Sequence, residues 1–118
     1  VFLGRGEDGH VASLFPGSPA LWEMNRWVVA LKRESENFHR ISLTFPILNY
    51  ARRVVFLVSG KEKAAILKEI LYSPRDPWRL PAQGIRPANG KVQWIVDREA
   101  GSLLIHEELA ALGYAVHP

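Results

Sequence analysis

The sequence contains no cysteine, which excludes disulfides and thiolate metal sites and suits a reducing cytoplasm. No apolar run is long enough to span a bilayer, so no membrane partner is expected. There is no block of basic residues and no basic–aromatic stripe. The 15 Lys and Arg, set against 12 Asp and Glu, are spread along the chain, and nucleic acid is not expected either. The net charge of +3 fits an anionic small molecule better, such as a phosphorylated metabolite. Methionine is nearly absent: the only one is Met24, and the chain opens on Val1, already within an apolar stretch. The expectation is the C-terminal part of something longer.

The 118 residues, 47% hydrophobic and 23% charged, suit one domain over the whole chain, 1–118, with a sizeable core. Residues 1–3 read as the end of a buried strand, and residues 27–31 and 40–45 as two further strands. Pro46 opens a short helix through Ala51. Residues 54–58, VVFLV, are apolar at every position, the mark of a parallel strand covered on both faces. Residues 61–72 place Ala64, Leu67, Ile70 and Leu71 on one helical face. Residues 73–90, with four prolines and two glycines, are irregular; 92–96 is the last strand. Asp97 then caps a closing helix over about 98–112. Strands alternating with helices predict an α/β Rossmann-like layered fold with a mainly parallel sheet, incomplete as it stands.

In such folds ligands sit beyond the C-terminal ends of the strands. The run GRGEDGHVASLFPG occupies that position after the first strand. Gly4, Gly6 and Gly9 allow positive φ and close approach of backbone to a ligand. Asp8 stands two residues from His10, and a carboxylate near an imidazole fixes its tautomer and raises its basicity, as a general base needs. The plainer alternative is a turn with a solvated His. A metal held by Glu7, Asp8 and His10 is not expected, because no second His is placed to join them. Ser59 and Glu62 have the spacing of a capping box, while Lys61 and Lys63 in the same first turn suit an anion site. Arg40 is either a surface cation or a phosphate ligand. Asn49 and Arg52 read as helix-end and packing residues. Gln83, Arg86 and Asn89 either line a site or order their loop.

Three blocks in order, residues 3–21, 40–67 and 80–100, resemble the 6-phosphogluconolactonase family. The first carries Asp-Gly-His followed by Ala-Ser-Leu-Phe-Pro-Gly, and the second carries Arg-Ile-Ser-Leu-Thr and Gly-x-x-Lys. The resemblance implies hydrolysis of 6-phospho-D-glucono-1,5-lactone to 6-phosphogluconate in the oxidative pentose phosphate pathway, without metal or organic cofactor. It makes His10 the catalytic base and Asp8 its acidic neighbour. Lys63 and Arg40 become phosphate ligands, and Gly4, Gly6 and Gly9 the substrate-facing loop. Arg5 departs from the family, which usually has a hydrophobic residue there. The family's Gly-Gly-Ser-type phosphate loop and its Arg-containing acidic motif are not in the chain. Self-association, or pairing with the N-terminal half that carries them, follows as the expected partner arrangement. A glucosamine-6-phosphate deaminase-like enzyme is the rival within the same fold, although VASLFPG after His10 supplies no acid for it. A truncated, non-catalytic anion-binding module is the rival outside enzymes.

Overall fold

A computed structural model describes residues 1–4 and 6–117; Arg5 and Pro118 lie outside the described residues, and with Arg5 the one departure within the glycine loop. The apolar run of the second block becomes the centre of the molecule. β4 (Arg53–Val58) pairs in parallel with β1 (Phe2–Leu3) on one side and β5 (Lys91–Val96) on the other, giving the order β1-β4-β5. Val54, Phe56 and Val58 point to one face and are buried, and Phe56 stacks on Trp94 of β5 with ring centroids 4.1 Å apart.

α2 (Ala64–Tyr72) follows β4 and buries Ala64, Leu67, Ile70 and Leu71, the four positions of its apolar face. Leu67, Leu14, Val11 and Leu80 meet Phe56 and Val54 in one core cluster. The α/β class and the mainly parallel main sheet are therefore as expected.

Several elements differ from expectation. β2 (Val28–Lys32) and β3 (His39–Leu43) do not join the parallel sheet; they pair with each other in an antiparallel two-stranded sheet. Pro46 falls in the first turn of the next helix, α1 (Phe45–Leu48), as expected, but the helix ends three residues before Ala51. The closing helix α3 (His106–Ala111) begins eight residues late. Asp97 does cap backbone amides, but those of a turn: its carboxylate accepts from Ala100 N at 2.8 Å, and its carbonyl from Gly101 N at 3.0 Å. The residues after it are held in turns.

The second face of β4 is only partly covered: Val55 is buried there, but its neighbours are not. Leu57 is 50% exposed, beside Ile95 of β5 at 50%, and Phe2 of β1 is 74% exposed on the same face. Three of the four tryptophans also stand out of the core: Trp22, Trp27 and Trp78 are exposed. Among the described residues no helix is long and apolar enough to cross a membrane.

Candidate functional site

β1 and β4 are neighbours running in the same direction, so the loops that leave their C-terminal ends emerge on one side of the sheet. The first is the glycine loop, the second residues 59–63. The two loops are joined by packing. A side chain on Gly9 would touch Ile66, in the first turn of α2, and Leu80. Ala82 N donates to the Gly9 carbonyl at 3.1 Å, which ties in the proline-rich segment.

Within the glycine loop the chain folds back on itself. Gly6 N donates to the His10 carbonyl and Gly9 N to the Gly6 carbonyl, both at 3.1 Å. Gly9 alone of the three expected glycines takes positive φ, at +86°. Gly6 is required for a different reason: a Cβ there would lie 2.0 Å from His10 Cε1 and 2.2 Å from Nδ1. The imidazole lies directly against the Gly6 α-carbon, so any side chain there would force the ring to move. Gly4 is in open space, with nothing within 4 Å of a Cβ built on it. Ala12, just past His10, holds φ at 50°, a left-handed conformation uncommon outside glycine.

Asp8 and His10 meet in this loop. Asp8 Oδ1 lies 2.5 Å from His10 Nδ1 and accepts the His10 backbone N–H at 3.1 Å. Partial burial of Asp8 works against its charged form, but the His10 amide, ring and charge outweigh it and hold the carboxyl below its ordinary value. An ionised carboxylate only accepts, so the shared proton belongs to Nδ1 and the lone pair of the neutral ring sits on Nε2. The ring is half-buried and packs on Phe15, with centroids 4.5 Å apart. A tautomer-fixed imidazole with Nε2 unprotonated is equipped to take a proton from water.

Residues 59–63 do not form a capping box. Ser59 Oγ donates instead to Asp97 Oδ2 at 2.7 Å, and Gly60 N donates to the same carboxylate. Those bonds hold Asp97 below its ordinary pKa, the Ala100 amide first among them. Glu62 folds back over Gly60, which has φ of +101°. Lys61–Lys63 form a 3-10 turn that runs directly into α2: Lys63 N donates to the Gly60 carbonyl at 3.1 Å and Ala64 N to the Lys61 carbonyl. No side chain caps this end, and Lys63 is the residue immediately before α2.

Arg40 lies on β3 and its fork is engaged. Nε and Nη2 donate to the two oxygens of Glu36 at 2.8 and 2.6 Å. The rest of the Arg-x-Ser-x-Thr pattern is anchoring. Ser42 Oγ accepts from Ser13 N at 3.0 Å, and Thr44 Oγ donates to the Arg26 carbonyl at 2.6 Å. Both residues are buried. The pattern thus pins β3 to the segment after His10.

Gln83 and Asn49 order the loop. Gln83 Nε2 donates to the Ile70 carbonyl and Oε1 accepts from Asp76 N. Asn49 bridges Gly84 and Arg86. Two open cavities, of about 280 and 340 Å³, are lined by residues such as Trp94 and Trp78, and neither includes His10. They are gaps at the edges of the irregular segment, without the chemistry gathered in the glycine loop. Among the described residues no three His, Asp or Glu side chains are grouped to hold a metal ion.

The sequence did not single out Phe15, Arg33 or Glu36. Arg33 Cζ lies 3.8 Å from the Phe15 ring centroid and Arg40 Cζ 5.3 Å from it. The only hint in the sequence is the charge-rich stretch LKRESE between two strands.

The Asp8–His10 pair and the start of α2 thus lie beyond the C-terminal ends of neighbouring parallel strands of an α/β fold. The family model described as glucosamine-6-phosphate isomerases/6-phosphogluconolactonase matches residues 1–94, and the chain belongs to that family. It is similar to a 6-phosphogluconolactonase of Synechocystis, 41% identical over 104 residues, which cover 88% of this chain and 42% of the relative. A human 6-phosphogluconolactonase is 41% identical over 105 residues, covering 88% of this chain and 40% of the relative. The crystal structure of 6-phosphogluconolactonase from Leishmania guyanensis superposes with a TM-score of 0.71 at 32% identity, covering 89% of this chain and 41% of that one. The chain spans about two fifths of the length of these relatives.

Proposed function

We propose that this chain is the part of a 6-phosphogluconolactonase that carries the catalytic base. The observation that carries the reading is the 2.5 Å contact of His10 Nδ1 with Asp8, in a loop beyond the parallel strand ends. His10 Nε2 takes a proton from water, and the water oxygen attacks the lactone carbonyl. Asp8 holds the tautomer and stabilises the imidazolium that forms. The oxyanion that develops on the carbonyl is met by the N–H of Gly4, while the N–H groups of Gly6 and Gly9 close the loop that presents it. The ring opens, and His10 returns its proton to the departing ring oxygen.

Lys63 holds the remote phosphate, and Arg40 adds the N–H groups that Glu36 leaves available, those of Nη1 among them. This positions the lactone over His10. Proton transfer and hydrogen bonding suffice for the step, so no metal is needed. A chain without cysteine suits the cytoplasm.

The bare face formed by Phe2, Leu57 and Ile95 is apolar surface on a parallel sheet, which is ordinarily covered on both sides. We place on it the segment that the relatives have and this chain does not span. In its absence a second copy takes that place. The test of the function is to graft this chain in place of the matching segment of the Synechocystis relative. Lactone hydrolysis by the graft, with no ammonia released from glucosamine 6-phosphate, supports the reading. A soluble, folded graft without lactonase activity refutes it.

A further inference from the structure

This inference rests on reading the His10 site as one for a phosphorylated sugar, and adds a residue to it. Two guanidiniums share the ring of Phe15, and they are not equivalent. Arg40 has given two of its N–H groups to Glu36. Arg33, at 3.8 Å from the ring centroid, donates no hydrogen bond to any described residue. Cation–π contact holds a guanidinium in place without consuming an N–H, so the five donors of Arg33 remain available. Phe15 is buried, and its other neighbour is the His10 ring at 4.5 Å.

The local charge is also unbalanced. Lys32, Arg33 and Arg40 all act on the one carboxylate of Glu36, with the Arg40 hydrogen bonds foremost, and hold it ionised below its ordinary range. Across residues 32–40 the three cations meet two carboxylates, Glu34 and Glu36, and the excess positive charge lies one aromatic ring away from His10. A planar fork with free donors beside a catalytic imidazole fits a phosphate bidentately, which a lysine does not.

We propose that Arg33, carried on Phe15, is a phosphate-contacting residue of the His10 site, with Arg40 held behind it by Glu36. Arg33 therefore makes the larger contribution of the two to recognition of the phosphate.

The test uses the 118-residue chain, labelled for NMR and titrated with inorganic phosphate, 6-phosphogluconate and gluconate. The Arg33 Nε–H, Phe15 ring and His10 ring signals are followed. In the parent, the two phosphate-bearing ligands move the Arg33 Nε–H signal. Arg33→Gln weakens their binding tenfold or more, and gluconate responds alike in both proteins. Phosphate affinity within twofold of the parent in Arg33→Gln overturns the proposal, as does an equal loss for gluconate and 6-phosphogluconate. If Arg33→Gln disturbs the fold, the parent decides: an Arg33 Nε–H that moves with phosphate supports the proposal, and one that stays still overturns it. Arg33-dependent phosphate binding alongside an inactive graft would remove the lactonase reading and leave this one standing.

Discussion

Gly6→Ala tests the geometry of the base with a single methyl group. The added Cβ would lie 2.0 Å from His10 Cε1, 2.2 Å from Nδ1 and 2.8 Å from Nε2. Ordinary contact begins near 3.4 Å, so the imidazole must retreat by more than an ångström or the loop must open. Either movement breaks the 2.5 Å contact with Asp8 and shifts the ring on Phe15. Displacement of a catalytic group by about 1 Å costs on the order of a hundredfold in rate. The loss should fall chiefly on kcat, since the group displaced is the His10 ring itself. The assay is lactone hydrolysis by the graft on the Synechocystis relative, with the His10 ring signals read in parallel. Activity within twofold of the parent, with the Asp8–His10 contact intact, would refute the reasoning.

Lys63→Ala should raise KM for the phosphorylated lactone about tenfold or more, and leave a lactone without phosphate nearly unchanged. Equal effects on both substrates would make Lys63 structural. Asp8 has a folded-state pKa below its unfolded value, so it contributes stability that is complete above the unfolded value of about 3.9 and is lost as pH falls through the lower, folded one. An NMR titration of its carboxyl carbon should therefore give a midpoint under about 3.9, and a midpoint at or above that value contradicts the contact. Purified alone, the chain should self-associate through its bare sheet face, and Leu57→Glu should shift it toward monomer in light scattering. A monomeric parent chain would show that the exposed Phe2, Leu57 and Ile95 need no cover.

β4 and α2 were legible because their signals are local: five consecutive apolar residues, then four apolar positions on one helical face. The pairing of β2 with β3 was not. A strand reads the same whether its neighbour is parallel or antiparallel, and only the register of Leu31 against Arg40 fixes the pairing. The capping box at Ser59 failed because the hydroxyl found a partner 38 residues away, the carboxylate of Asp97. No local spacing reports such a competitor. The same carboxylate drew the amide of Ala100 into a turn, and so postponed the last helix. The Asp8–His10 pair could be read from spacing, because two residues within one glycine loop have few other places to go. The Arg33–Phe15 contact could not, since it joins two loops distant in sequence, tied across β3 by the Ser42–Ser13 bond.

The central claim is that His10 is the base and that Asp8 serves it. Its most direct measurement is the pH dependence of lactone hydrolysis in the graft, for the parent, His10→Gln and Asp8→Asn. The account predicts a parent rate that rises with the deprotonation of one imidazole. That step should be absent from His10→Gln, whose rate should fall by roughly a hundredfold to ten-thousandfold. Asp8→Asn should lower the rate, because the imidazole loses the carboxylate that fixes its tautomer and orientation. An imidazole step that persists in His10→Gln, at a rate within twofold of the parent, would contradict the account.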